Sequence, residues 1–416
     1  MISFIKQPNK YTPVNNPVIF QIQSDNPLIQ FFKVTITDNL GNIIGSLRLF
    51  TTPDYLTGSF TDLSTILSNT VNYQLLPSAN LVDYTPNILQ AYQLTVTEKI
   101  YSNGIIVDGT TSTTGLFYVW NGLVDKVSFS SFDYHNYVLT TGNTANFLTN
   151  KPPISTMYLT SSEYLYFLND GRSGNVNLNF YGAGNTLVGS HQLAISGSTS
   201  GATRIDISPA AITNTFGSSF ANSIGREFGS MFTSPFGTNY SLSSANYFTV
   251  NLTDVSGNSK SVVRTYVLKN TSCKNTPVQI VFGNQLGGYD SFMFFNPRET
   301  LDVVKTSITD NPFSINIGGI YTDNNNSVFN EENTTINVNA TSTYKVITDA
   351  LRDEEVRFLK ELVKSQKVYI RLLNGMFYPV TVTNLNFPVQ QKKYTTSLLR
   401  LELVFTMRDT GINMNY

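Results

Sequence analysis

Apolar and polar residues alternate at period two through most of this chain. In residues 1–126 the runs "VIFQIQ", "FFKVTITD", "IIGSLRLF", "AYQLTVTEKI" and "GLFYVW" each read as a strand with one face turned to a core. "TDNLGNIIG" predicts a hairpin whose turn is held by Asn39 to Asn42. Five or more short strands joined by turns predict an immunoglobulin-like β-sandwich. Trp120, the single tryptophan, is expected in or beside that core rather than as a ligand-stacking platform.

Residues 127–272 repeat the pattern. "TMYLTSSEYLYFLND", "NVNLNFYGAGNTLVGSHQLAI", "TRIDIS", "YFTVNLTD" and "SVVRTYVLKN" read as strands, with "GAGN" and "DVSGN" as hairpin turns, and predict a second β-sandwich. Gly182 and Gly184 make no dinucleotide fingerprint, since no helix follows and the spacing to Gly189 is wrong. Within this part Phe216, Phe220, Ile224, Phe228, Phe232 and Phe236 recur at every fourth residue, among many Gly and Ser. Such spacing gives one apolar stripe on a helix, but the glycines disfavour a free-standing one. Two readings stay open: a loop whose phenylalanines plug the edge of its own sandwich, or an arm that orders against a neighbour.

Residues 273–416 change texture. An opening strand pair, "VQIVFGNQLGGYDSFMFF", is broken by Gly287 and Gly288. A polar tract over residues 306–342 follows, with alternating Ile315, Ile317 and Ile320, then Ile336 and Val338, around "TDNNNS". That pattern predicts a hairpin arm with little to pack on at home. "DALRDEEVRFLKELVKS" is the one clear helix. Leu351, Glu355, Phe358, Leu359, Leu362 and Val363 trace a mainly apolar face, with acids early and lysines late. A hairpin on Asn374-Gly375 and a last strand, "LLRLELVFTMRD", complete an α+β domain: an antiparallel sheet with one packed helix.

Composition sharpens this picture. At 416 residues, two to four domains are expected. Charged residues make up only 13%, about half the usual share, so Asn, Thr, Ser and Tyr must cover the surface. A surface so poor in charge has little electrostatic reason to stay dispersed, and burial against partners follows naturally. The net charge of −1 with no basic run argues against nucleic-acid binding. From Tyr344 onward there are eleven Lys/Arg and seven Asp/Glu, against sixteen and twenty-one before it, so a mildly acidic body joins a basic end. The opening "MISFIKQPNK" holds no signal-peptide run, and no segment approaches a membrane span.

Candidate chemistry is sparse. Cys273, the one cysteine, has Lys274 beside it but no nearby histidine, and His135 and His191 lack metal-ligand spacing. "DNNNSVFNEENT" lacks the central glycine of a calcium loop and puts Thr334 where the bidentate Glu belongs. Asp353, Glu354 and Glu355 read as a solvated helix face. No nucleophile elbow or phosphate loop is present. No cofactor, no metal and no enzymatic activity are expected. The Gly287-Gly288 break, with Asp290 and Asn284 able to bond exposed backbone groups beside it, reads as a device that bends a strand.

That stretch also carries a resemblance. Asn284, Leu286, Gly287, Gly288, Tyr289, Asp290, Ser291 and Phe292 resemble a pattern in structural proteins of phages and prophages of Bacteroides-type bacteria. A helix ending in a Leu-x-x-Ser step (Leu362 to Ser365), then Val368 to Ile370, then Pro379-Val380, follows as it does there. The nearest family is the tail and neck ring proteins of crAss-like phages. The likeness covers about 140 residues well and the rest loosely; the long Asn-rich tract departs from it. It implies a virion subunit made in the host cytoplasm and assembled as a cyclic ring with other tail or neck proteins, without membrane insertion. A receptor- or glycan-binding tail protein is the alternative, and a tail-borne glycan hydrolase a more distant one.

Overall fold

The computed structural model describes residues 1–52, 57–75, 80–140, 142–197, 200–216, 245–269, 277–309, 313–315, 319, 321–323, 333–371, 375–383 and 400–408. The chain is mainly β, arranged in several sheets. The side chains of Phe216 and Ile315, and all of Phe220, Phe228, Phe232, Phe236 and Ile317, lie outside the described residues.

The first third builds two sheets around one core. Strands Ile2–Lys6, Ile19–Ser24 and Gly58–Asp62 form one sheet. The other runs Tyr11–Pro13, Phe117–Trp120, Leu89–Ser102, Ile29–Asp38 and Ile43–Phe50, with Ile105–Thr113 also paired to Leu89–Ser102. Alternation in "FFKVTITD" puts Phe32, Val34 and Ile36 inward, where they meet Phe20, Ile22, Leu94 and Val96. The turn at Asp38 forms as its sequence predicts: Asp38 Oδ1 accepts from the backbone N–H of Leu40 and Asn42, both at 2.8 Å, and Gly41 takes φ +87°.

The middle third also pairs two sheets over a shared core. Tyr164–Asp170 and Ser200–Asp206 belong to one; Gly174–Tyr181, Leu187–Ile195, Tyr247–Thr253 and Arg264–Lys269 to the other. Leu165, Phe167, Val176, Leu178, Phe180, Phe248 and Val250 fill the space between. The strand Val82–Tyr84 precedes residue 126, yet it pairs with Ser200–Asp206 in this part.

In the last third, a sheet runs in the order Phe377–Pro379, Val368–Arg371, Pro277–Gly283, Tyr289–Thr309, Asn333–Ile347, Glu402–Arg408, Thr381–Val382. Its first and last strands are separated in the chain by Val380 alone. Val380 N–H donates to Val368 O at 3.0 Å, and Thr383 N–H to Val404 O at 2.9 Å. One stretch of chain therefore bonds both ends of the sheet and closes it at that level. The helix Asp353–Lys364 presses Val356, Phe358, Leu359 and Leu362 onto Ile280, Phe282, Phe294, Val346 and Leu403. Glu355, expected on the mainly apolar face, instead accepts from Arg352 N–H at 2.9 Å and caps the helix start.

Candidate functional site

Two places stand out: the tip of the Pro277–Gly283/Tyr289–Thr309 hairpin, and the far end of the second of those strands.

The tip is built by Asn284. Its backbone N–H donates to Gly288 O at 2.9 Å, and its Oδ1 accepts from the N–H groups of Leu286 and Gly288, each at 3.0 Å. Its Nδ2 donates to Leu148 O at 2.8 Å and to Asp290 Oδ2 at 2.9 Å. A single buried amide thus satisfies three groups of its own loop and one carbonyl of the middle third. Gly287 holds φ +98°, and a Cβ there would stand 1.9 Å from Asn121 O. Gly288 is constrained by space: its Cβ would lie 2.8 Å from Tyr166 Cδ2 and 3.0 Å from Leu148 O. The two glycines do different work, one conformational and one steric.

All three thirds of the chain meet at this tip. Tyr73 Oη donates to Asn284 O at 2.8 Å and Leu123 N–H to Gln285 O at 2.7 Å, both from the first third. Gln285 N–H donates to Glu361 Oε2 of the helix at 2.8 Å. Leu286 and Tyr289 enter a buried cluster with Trp120, Val124, Leu148 and Tyr166. Trp120 is indeed fully buried, but in this shared cluster beside the first core.

Asp290 is buried, and its Oδ1 accepts from Thr149 Oγ1 at 2.7 Å. Burial first, then the nearby Glu163 carboxylate, pushes its pKa up to about 7, against the pull of Lys151 and Thr149. Next to it, Lys151 Nζ donates to both oxygens of Glu163 at 2.7 Å and to Ser291 O at 3.0 Å. Ser291 Oγ donates to Glu163 Oε2 at 2.6 Å, and Gln279 exchanges hydrogen bonds with the backbone of Ser162. Arg264 Nη2 donates to the carbonyls of Lys151 and Pro152 at 2.6 and 2.9 Å. Burial also raises the Glu361 carboxyl, opposed by its bonds from Gln285 and Asn150.

The sequence picked out Gly287, Gly288 and Asp290, and the structure brings them together. It missed Lys151 and Glu163. Their signal was weak but present: single charges in "TNKPP" and "SSEYLYF", in a chain with few charges to spare. Asp290, Glu163 and Glu361 each accept at least one hydrogen bond from another third of the chain, from Thr149, Ser291 and Asn150, so the cluster ties those thirds together. Among the described residues, no group of three or more His, Cys, Asp and Glu is placed to hold a metal ion, and no helix is long and apolar enough to cross a membrane.

The second place is a ribbon. Tyr289–Thr309 leaves Pro277–Gly283 after Phe295 and pairs on with Asn333–Ile347 as far as Thr309↔Asn333, with irregularities at Phe295/Arg298 and Thr306/Ser307. The third strand, Glu402–Arg408, reaches only to Thr341. Beyond it, among the described residues, no further strand pairs with these two. Leu301, Val303, Val304 and Ile336 on them are 54%, 45%, 64% and 58% exposed. Leu301 and Val303 share one face and Val304 the other, so exposed apolar side chains lie on both faces.

No family model matches the chain, and no curated protein matches it. Among solved structures, similarity is found to the FN1–FN3 domains of chicken CNTN1, at 7% identity over 83% of this chain and 92% of that one, with a TM-score of 0.18. Native E. coli alpha-2-macroglobulin is similar at 8% identity over 83% of this chain, which spans 21% of that protein, with a TM-score of 0.17. Scores this low carry no assignment.

Proposed function

We propose that this chain is a structural subunit of a bacteriophage virion: one copy in a cyclic ring at the tail or neck. In this reading two immunoglobulin-like sandwiches carry a C-terminal α+β assembly domain. The observation that supports it most is the ribbon. An isolated two-stranded hairpin is marginal in water, and this one shows apolar side chains on both faces. It makes sense as an element completed by a neighbour. The tight joint at Asn284 and Asp290 fits the same role, since it locks the body into one piece that can bear load. The likeness of residues 284–292 to crAss-like phage ring proteins points the same way. Synthesis in the host cytoplasm and release by lysis complete the picture. The test is immunogold labelling of virions with antibody to this chain. Label confined to the tail or neck is expected; particles free of label would overturn the proposal.

A groove favours the receptor-binding alternative. It measures about 290 Å³ and is lined by Asn39, Tyr84, Gln90, Leu116, Tyr118 and Ser200. Tyr84 is half exposed, its ring laid against Gly201, and Tyr118 stacks on Tyr11 at 4.6 Å. Aromatic rings beside amides suit a neutral saccharide. Binding of cellotriose or N-acetylchitotriose, lost in Tyr84→Ala, would move the chain to that class.

A further inference from the structure

The edges of the strands identify where the ribbon docks. Natural proteins guard open strand edges with charges or proline, because an unguarded edge pairs with whatever strand arrives. Among the described residues, no strand pairs with the outer edge of Asn333–Ala340, and this stretch holds no Lys, Arg, Asp, Glu or Pro. The ribbon's other edge is guarded by Arg298, Glu299, Asp302 and Lys305. On the body, the edge strand Ile43–Phe50 carries Arg48 and Ile105–Thr113 carries Asp108. Among the described residues, Leu187–Ile195 is the last strand of its five-stranded sheet, and it carries no such residue over nine positions. Its one titratable side chain, His191, has its pKa lowered by burial, which favours the neutral ring.

We propose that Asn333–Ala340 of one copy adds as a strand to Leu187–Ile195 of the next copy. This rests on the ring reading above and names the contact that builds it. The two stretches are close in length, about 27 Å and about 31 Å at a rise of about 3.4 Å per residue. The occupant is a second copy because, among the described strand edges of eight residues or more, the two without charge or proline lie on one chain, one on the ribbon and one on the body. Pairing them is heterologous, so each copy both gives and receives, and the chain of contacts closes as a ring when the rotation does. Main-chain hydrogen bonds supply the adhesion.

Hydrogen–deuterium exchange on the full chain tests this against a shortened one, in which Asn-Gly joins Val303 to Ala340, a paired position in the ribbon. Amides of Leu187–Ile195 should exchange at least tenfold more slowly in the assembled full chain than in the shortened one. A second variant, Gln192→Lys with Ala194→Lys, changes two exposed side chains of the receiving strand. It should stay folded and lose both assembly and the protection of Asn333–Ala340. An oligomer whose Leu187–Ile195 amides exchange as in the shortened chain overturns this docking and leaves the ring reading standing. A full chain that is monomeric at every concentration overturns both.

Discussion

Asn284 Nδ2 donates to Asp290 Oδ2 across the Gly287-Gly288 bend at 2.9 Å, with both side chains buried. This bond pins the two ends of a five-residue turn while the same amide holds Leu148 of the middle third. A bend in one hairpin is thereby made part of the contact between the last and middle thirds of the chain.

The glycines should fail for separate reasons. Gly287→Ala meets both a left-handed backbone, costing roughly 1–3 kcal/mol, and the Asn121 carbonyl. Gly288→Ala keeps an ordinary φ and meets only the buried Tyr166 ring and the Leu148 carbonyl, at longer distances. Urea unfolding should place Gly287→Ala well below wild type, with Gly288→Ala between them. The reverse order would show that space, not φ, dominates at this bend.

Asp290 gives the joint a pH dependence of defined sign. Its pKa in the folded chain is up to about 7, from an ordinary value of 3.8. Its contribution is therefore greatest below the ordinary carboxylate pKa and is lost as pH rises through 7. At roughly 1.4 kcal/mol per pKa unit, wild type should lose a few kcal/mol relative to Asp290→Asn between pH 5 and pH 8. The asparagine variant can still accept from Thr149 and stays uncharged. Melting temperatures of the two proteins across that range should converge in acid and separate in base. Parallel curves would place the ionisation elsewhere.

Removing one partner of a buried ion pair strands the other. Glu163→Ala leaves Lys151 buried with Ser291 O and costs Ser291 its carboxylate acceptor. A loss of about 3–5 kcal/mol is expected by chemical denaturation. Glu163→Ala with Lys151→Met should recover much of it. No recovery in the double variant would mean the cost lies in packing.

Local signals in the sequence translated directly. The Asp38 turn recurs at Asp254, which accepts from Ser256 and Asn258 N–H at 3.0 and 2.8 Å, because Asp followed by a glycine three residues on is a self-contained device. Helix 353–364 was legible in its acids, lysines and period, although Val356 rather than Glu355 faces inward. Features fixed by distant partners were not legible. Closure of the last sheet depends on Val380 reaching Val368, and the three-part joint depends on Lys151 meeting Glu163 and Ser291. The ribbon lay between: of the alternating positions that predicted an arm over 306–342, Ile336 and Val338 lie on its second strand, and among the described residues the third strand pairs only as far as Thr341.

A ring built through the ribbon is tested most directly by sedimentation of the full chain beside the chain with Asn-Gly joining Val303 to Ala340. The full chain should form one discrete closed oligomer, and the shortened chain should stay a folded monomer with an unchanged melting temperature. Two monomers of equal stability, or one oligomer that forms without the ribbon, would contradict it.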